Sequence, residues 1–140
     1  PLVNREGLQK LLHSFDNPAV QVASLMCPIT EENDIRNPSY VKVVVDKNNN
    51  ALYFSRSPIP FVRNKENNIN FWKHIGIYGY RKNVLMNFTH WERTPLEKTE
   101  MLEQLRYLEN GISIKMIETH ETPLSIDTPE DFEKAKSFFS

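Results

Sequence analysis

The chain is poor in cysteine and glycine, with one cysteine and four glycines among its 140 residues. A single cysteine cannot close a disulfide within the chain, which argues against a disulfide-stapled secreted domain and indicates a reducing compartment. Cys27 lies in the apolar run from Val20 to Ile29. We interpret it as a buried structural thiol rather than a nucleophile, because free cysteine is among the most buried residue types.

An excess of charge of one sign and long hydrophobic runs are also missing. The 17 Lys and Arg residues balance 18 Asp and Glu residues, and the net charge is -1. Because there is no basic block, we do not expect an electrostatic grip on nucleic acid or on an anionic membrane. No apolar run approaches the roughly 20 residues that span a bilayer, and no segment resembles a signal peptide. The composition predicts a soluble, cytoplasmic protein with one domain's worth of chain.

Several catalytic motifs are absent as well. The chain has no glycine-rich phosphate loop, no set of Cys and His residues with metal spacing, and no Ser, His and Asp arrangement for acyl transfer. If the protein handles a nucleoside triphosphate, we expect the residues that cradle it outside this chain. The start at Pro1, followed at once by a helical pattern, likewise suggests part of a longer protein.

The sequence does contain alternating helix and strand patterns. Asn4 can cap a first helix, the Asn run 48–50 indicates a hairpin turn, and Thr94 with Glu97 forms a capping box. The predicted helices cover residues 4–17, 84–88, 94–110 and 128–139, with a short turn or helix over 30–36. The predicted strands cover residues 20–27, 41–46, 51–54, 71–81 and 112–117.

The segment 126–132 holds a carboxylate beside a well-specified helix start. Thr128 as N-cap, Pro129 at the first helical position and Asp131 three residues after the cap predict that a helix begins here. Asp127 then lies at a strand-to-helix corner, where a carboxylate suits Mg²⁺ that bridges phosphate oxygens. The alternative is that Asp127 is a solvated turn residue.

Alternation along the predicted strand 73–81 separates a polar face from an apolar one. The polar face suits a ligand or water, and its histidine is either a ligand or a structural residue with internal partners. The polar face comprises His74, Gly76, Tyr78 and Tyr80, and the apolar face comprises Ile75, Ile77 and Gly79.

Two other groups of polar residues have both a functional and a structural interpretation. Arg56 follows a short strand, where its guanidinium either holds a carboxylate or phosphate or pins the loop. The predicted helix 94–110 carries a polar face that is either functional or merely solvated. That face comprises Glu100, Glu103, Gln104 and Tyr107, apart from an apolar stripe of Leu102, Leu105 and Leu108.

Taken together, these segments resemble one family, the 3-deoxy-manno-octulosonate cytidylyltransferases, also called CMP-Kdo synthetases. Several matched blocks in the same order cover most of the chain, which makes the resemblance specific. The blocks are Asn37-Pro38, Val41-Lys42-Val43-Val44, residues 51–60, residues 74–81, Pro95-Leu96-Glu97 with residues 100–106, and Asp127-Thr128-Pro129-Glu130-Asp131.

The resemblance implies transfer of a cytidylyl group from CTP to the sugar acid Kdo, which gives CMP-Kdo and pyrophosphate for lipopolysaccharide biosynthesis. It implies an α/β fold like that of the nucleotide-diphospho-sugar transferases, a Rossmann-like mixed sheet with flanking helices. It also implies Mg²⁺ as cofactor and a homodimer.

Family members carry an amino-terminal half with a phosphate-binding loop and a Gln-Gly-Asp-Glu-Pro motif whose Asp binds metal, and only Pro1 could remain of that motif here. We therefore expect residues 1–140 to be the carboxyl-terminal, sugar-acid-binding and dimerisation portion of a single-domain enzyme. With the amino-terminal half absent, this portion alone is expected to be inactive.

By the same resemblance, Asp127 is the catalytic residue and a ligand of Mg²⁺. Arg56 suits an anionic substrate, and the other matched residues suit its hydroxyl groups. Ser125 stands where relatives often have Gly, a departure that restricts the backbone without removing the ligand. The substrate-binding residues implied are Arg56, His74, Tyr78, Glu103 and Gln104.

Two other functions fit part of the pattern. Another sugar nucleotidyltransferase, such as one that acts on neuraminic acid, would share the fold and the metal, but not the blocks 74–81 and 100–106 together. A substrate panel separates these two enzymes. The other alternative is an inactive binding or dimerisation fragment, because the nucleotide half is expected to be absent.

Overall fold

Five helices and five strands lie within residues 5–120, the part of the chain that the computed structural model describes. Within these residues, no helix is long and apolar enough to cross a membrane. The helices are α1 (Arg5–Ser14), α2 (Glu32–Arg36), α3 (Lys82–Phe88), α4 (Pro95–Glu100) and α5 (Leu105–Glu109). The strands are β1 (Val22–Ile29), β2 (Lys42–Val45), β3 (Ala51–Ser55), β4 (Phe71–Tyr80) and β5 (Ile114–Glu118). The predicted helix 128–139 and Asp127 lie outside the described residues.

The strands form one mixed sheet, as the family resemblance implies, and their order in the sheet is β3-β2-β4-β1-β5. Strands β1 and β5 are parallel, whereas the other neighbouring pairs are antiparallel. The predicted hairpin joins β2 to β3, and Asn49 in its turn has a φ of 60°. The Asp46 carboxylate stabilises that turn by accepting bonds from the backbone N–H groups of Asn48 and Asn50 at 2.8 and 2.9 Å.

Each face of the sheet covers an apolar cluster. Helix α1 packs on one face, where Leu11 meets Ala23, Leu25, Cys27 and Ile75. Cys27 is buried there, as predicted for a structural thiol. Gly79 permits the close approach of α1, because a Cβ atom at this position would lie 2.6 Å from Phe15 Cε2. The opposite face buries Val22, Met26, Val43, Phe54, Leu105, Tyr107, Ile114 and Met116.

The prediction of one continuous helix over 94–110 is wrong in its centre. Helix α4 ends at Glu100, and the next residue, Met101, adopts the left-handed conformation with φ 55° and ψ 48°. A turn over residues 101–104 then leads into α5, so Glu100 and Glu103 do not share one helix face. Tyr107, predicted on the polar face, is buried in the core together with Leu102 and Leu105.

A buried ion pair between Glu97 and Arg106 spans this break. One continuous helix would separate the two residues by about 14 Å along its axis. In the structure, the Glu97 carboxylate accepts bonds from Arg106 Nε at 2.7 Å and Arg106 Nη2 at 2.5 Å. The Arg106 guanidinium also lies 4.2 Å above the Phe88 ring centroid. The turn thus brings together two side chains that one continuous helix would hold apart.

The Glu97 side chain is fully buried, so its charge depends on its partners. It closes the predicted capping box by accepting a bond from the Thr94 N–H at 3.2 Å, and Arg93 Nε donates to it at 3.2 Å. Hydrogen bonding from Arg106 lowers the pKa of Glu97 to about 2. The carboxylate therefore stays ionised throughout the neutral range.

Replacing Glu97 by Gln should lower the free energy of unfolding by about 3 kcal/mol at pH 7, because the change leaves the Arg106 charge buried without its counterion. Urea denaturation measures the loss. The control is Glu32→Gln, since Glu32 forms an exposed pair with Arg36 at 2.7 Å and such pairs contribute less than about 1 kcal/mol. Equal losses in the two variants would contradict the prediction.

The effect of Glu97→Gln should also depend on pH. The pKa of Glu97 is lower in the folded protein than its ordinary value of 4.5, so the stabilisation is fully present above pH 4.5 and is lost as the pH falls through about 2. The difference between the wild type and Glu97→Gln should therefore shrink over that interval. A difference that stays constant down to pH 2 would contradict this assignment.

Candidate functional site

A cleft of about 360 Å³ opens beside β4. Its walls come from β4, from α3 and from the turn between α4 and α5, so three separate parts of the chain form it. Three of the predicted substrate-binding residues, Tyr78, Glu103 and Gln104, line it together. The other lining residues are Tyr80, Leu85, Phe88, Met101, Leu102 and Tyr107.

One wall of the cleft is a row of aromatic rings. Tyr78 stacks on Tyr80 with centroids 5.6 Å apart, and Tyr80 stacks on Tyr107 at 5.7 Å. Phe88 completes the row, 4.4 Å from Tyr107. Burial raises the pKa of Tyr78 and of Tyr80 far above the neutral range. The tyrosine hydroxyls therefore stay protonated, and each can both donate and accept a hydrogen bond.

His74 supports the cleft from within the core. Its ring lies 5.4 Å from the Tyr78 ring and 4.9 Å from the Phe54 ring. Its Nε2 is 2.9 Å from Ser24 Oγ, and its Nδ1 is 3.4 Å from Gln104 Nε2. Burial lowers the pKa of His74 to about 3, so the imidazole is neutral at pH 7. His74 thus contacts two residues of the cleft wall.

The prediction that His74, Tyr78 and Tyr80 share one face of β4 is confirmed, since they form a continuous row of ring contacts. This face is also a core face, where His74 is buried and Tyr78 and Tyr80 pack against an apolar cluster. The strand nevertheless contains a bulge. Ser24 pairs with Tyr78, whereas the next residue, Leu25, pairs with Ile75. Two residues are therefore added on β4, and because the period of a strand is two, the faces on either side of the bulge stay in phase.

Arg56 does not line this cleft, and its guanidinium has backbone partners. Arg56 Nε donates to the Glu100 carbonyl and Nη1 donates to the Pro38 carbonyl, both at 3.0 Å. The Arg56 N–H also donates to Glu100 Oε2 at 3.0 Å. This geometry pins the loop before β2 to the end of α4, as in the structural interpretation of Arg56, and a contact with substrate stays a prediction.

Two buried residues that sequence reasoning missed position these parts. Lys42 is fully buried, and its Nζ donates to the carbonyls of Asn37, Tyr40 and Arg56 at 2.9, 2.6 and 2.5 Å. Ser24 is fully buried beside His74. Two sequence signals could have identified these residues: Lys42 stands between two valines, and Ser24 stands within the apolar strand β1. A polar side chain in such a position must find internal partners when it is buried.

Across residues 5–120, no group of three or more His, Cys, Asp or Glu side chains is arranged to hold a metal ion. Glu103 is exposed at the mouth of the cleft, apart from the Glu97 and Glu100 carboxylates that bind within the fold. The predicted metal ligand Asp127 lies outside these residues. The described part of the cleft can therefore hold the hydroxyl groups of a small polar molecule, but it supplies no metal site.

Comparison with known proteins gives one family. The chain is 46% identical over 140 residues to the 3-deoxy-manno-octulosonate cytidylyltransferase of Flavobacterium johnsoniae, covering 98% of this chain and 57% of that protein. It is 44% identical over 143 residues to the protein of that name from Christiangramia forsetii, covering 100% of this chain and 58% of the relative. The chain thus spans little more than half the length of these relatives.

A solved structure gives the same result. The structure described as CMP:2-keto-3-deoxy-manno-octonic acid synthetase complexed with CTP has a TM-score of 0.92 to this chain at 41% identity. The match covers 99% of this chain and 57% of that one, which confirms the predicted fold class. The sequence model of a family described as cytidylyltransferase matches residues 1–117. The chain therefore belongs to the cytidylyltransferase family.

Proposed function

We propose that the protein transfers a cytidylyl group from CTP to 3-deoxy-D-manno-octulosonate (Kdo), giving CMP-Kdo and pyrophosphate for lipopolysaccharide biosynthesis. The observation that carries the proposal is the cleft in which Tyr78, Glu103 and Gln104 meet above the neutral His74. A sugar acid presents several hydroxyl groups, and this set of side chains offers both donors and acceptors to them. The names of the relatives and the CTP complex of the similar structure support the same reaction.

In this proposal the chain is the sugar-acid-binding and dimerisation portion of a homodimeric, cytoplasmic enzyme. The exposed carboxylate of Glu103 accepts bonds from sugar hydroxyls, and the amide of Gln104 and the hydroxyl of Tyr78 complete the contacts. Arg56 does not line the cleft, so its proposed role as counter-charge to the substrate carboxylate rests on the resemblance alone, and that role would use the guanidinium N–H groups that are not bonded to Glu100 and Pro38.

The chemical step depends on positioning. The anomeric hydroxyl of Kdo attacks the α-phosphorus of CTP and gives up its proton to water, so that a new O–P bond forms. The bond from the α-phosphorus to the bridging oxygen breaks, and its electrons leave with pyrophosphate. Holding the hydroxyl in line with the leaving group converts a bimolecular encounter into an effectively unimolecular reaction. The contribution of this chain is therefore to fix the sugar acid through Tyr78, Glu103 and Gln104.

The cofactor of the proposal is Mg²⁺, which would offset the charge on the phosphate oxygens. The residues described between 5 and 120 do not form a site for it. We keep Asp127 as the proposed catalytic carboxylate and metal ligand on the resemblance of residues 127–131 alone, and no step of the reaction is assigned to the ion.

The 140-residue chain by itself should form no CMP-Kdo from CTP, Kdo and Mg²⁺, because it spans only 58% of a relative's length and shows no phosphate loop. Chromatographic detection of CMP-Kdo tests this, with the enzyme at the full length of its relatives as the positive control. Formation of CMP-Kdo by the pure chain would contradict the expectation that this portion alone is inactive. If the full-length enzyme forms no CMP-Kdo but does transfer the cytidylyl group to another sugar acid, Kdo is the wrong substrate.

In the full-length enzyme, Glu103→Ala should raise the KM for Kdo at least about tenfold, because hydrogen bonds to a charged group contribute roughly 1.5–3 kcal/mol. The KM for CTP should not change. Steady-state kinetics with each substrate varied in turn measures both values. Glu92→Ala is the matched control, since Glu92 is exposed and lies outside the cleft lining. An unchanged KM for Kdo in Glu103→Ala would remove Glu103 from the site.

Asp127→Asn in the full-length enzyme should abolish CMP-Kdo formation while the circular dichroism spectrum and the melting temperature stay close to those of the wild type. The amide keeps the size of the side chain but lacks the charge that a hard cation requires. Unchanged activity would return Asp127 to its alternative as a solvated turn residue. Asp131→Asn, four residues further along, is the control for loss of a carboxylate in the same segment.

A further inference from the structure

Ser24 is a buried hydroxyl of β1 with three polar neighbours. It is 0% exposed and lies between the core residues Val22 and Met26 on the sheet face that carries His74. Its Oγ is 2.9 Å from His74 Nε2, 2.8 Å from the Ile77 carbonyl and 3.1 Å from the Ile75 carbonyl. The bulge of β4 brings both carbonyls to this one hydroxyl.

The two carbonyls determine where the proton of Ser24 lies. A carbonyl oxygen can only accept and the hydroxyl has a single hydrogen, so the two nearby carbonyls favour a hydrogen that points at the Ile77 carbonyl, the nearer one at 2.8 Å. Ser24 Oγ then faces His74 with a lone pair. This arrangement favours an imidazole that carries its proton on Nε2 and donates it to Ser24, because two facing lone pairs at 2.9 Å would repel each other.

The proton on Nε2 in turn decides the orientation of Gln104. A neutral imidazole protonated on Nε2 has an unprotonated Nδ1, which can only accept. The amide nitrogen of Gln104 is the group at 3.4 Å from Nδ1 and donates to it. The amide oxygen of Gln104, a residue that lines the cleft, is thus left as an acceptor for a ligand.

We propose that Ser24 is a positioning residue of the cleft, which sets the proton on His74 Nε2 and, through it, the donor and acceptor ends of the Gln104 amide. The chain of bonds runs from Gln104 through His74 and Ser24 to the carbonyl of Ile77. Ser24 does not line the cleft, so it acts on the ligand only through Gln104. The expected effect on sugar-acid binding rests on the proposed function. The position of the proton on the His74 ring is independent of that function.

The position of the proton on the His74 ring can be measured by NMR without any ligand. In the chain labelled with ¹⁵N in its histidine rings, the Nε2 resonance of His74 should be of the protonated type and the Nδ1 resonance of the unprotonated type at pH 7. Loss of these signals in His74→Asn assigns them among the four histidines. A wild-type His74 protonated on Nδ1 overturns the proposal.

Three variants identify which partner sets the proton. Ser24→Ala removes the acceptor, so His74 should shift its proton to Nδ1 and donate it to the Gln104 oxygen after the amide turns. Gln104→Leu leaves Ser24 in place, and His74 should keep its proton on Nε2. Ser55→Ala is the matched control, since it removes another buried hydroxyl, one that donates to Glu100 Oε1 at 2.6 Å. It should leave His74 unchanged.

These outcomes separate positioning from a purely structural role. If Ser24 only caps the bulge carbonyls, Ser24→Ala lowers stability and His74 keeps its proton on Nε2, which overturns the proposal. If Ser24→Ala does not fold, Gln104→Leu still decides, because a shift to Nδ1 in that variant would show that Gln104 and not Ser24 sets the proton.

In the full-length enzyme, Ser24→Ala should raise the KM for Kdo about three- to tenfold, the range of one uncharged hydrogen bond, with the KM for CTP unchanged. A shifted His74 proton with an unchanged KM for Kdo would overturn the link from Ser24 to the ligand. Failure of the proposed function looks different. The wild-type enzyme would then not use Kdo at all, while the ring resonances of His74 would still report its protonation.

Discussion

The buried ion pair between Glu97 and Arg106 is the interaction on which the rest of the site depends. The two residues flank the turn over 101–104, and their contact at 2.5 and 2.7 Å holds α4 against α5. Without that contact, the helix-forming residues on either side could continue as one helix, which would carry Glu103 and Gln104 along its axis. The turn and the ion pair therefore occur together, and the turn carries Glu103 and Gln104.

Other buried polar side chains also form hydrogen bonds with groups inside the protein. Lys42 satisfies all three of its donors with backbone carbonyls, and His74 remains neutral because burial disfavours its charged form. Each of these residues joins segments that are distant in sequence. Lys42 ties the loop before β2 to the bend at Arg56, and His74 joins β1 to the turn that carries Gln104. The hydrogen-bonding capacity of buried side chains is thus used to align the parts of the cleft.

The sequence predicts most of the fold because its local signals agree with one another. The Asn run gives the hairpin, Thr94 and Glu97 give the capping box, and alternation gives the row of His74, Tyr78 and Tyr80. The division of helix 94–110 could not be predicted, since the ion pair that spans it joins residues nine positions apart through side chains alone. The roles of Ser24 and Lys42 escaped for the same reason, because their partners lie on other strands and loops.

The bulge of β4 has a consequence for how this strand can vary in length. Strand β4 contains two residues more than its partner β1 across the bulge, and the ring row continues on one face because that number is even. Loss or gain of one residue would send Tyr78 and Tyr80 to the side of α1 and turn apolar residues into the cleft. An insertion or deletion between His74 and Tyr78 therefore keeps both side chains on the same face of the sheet only if it changes the strand by an even number of residues.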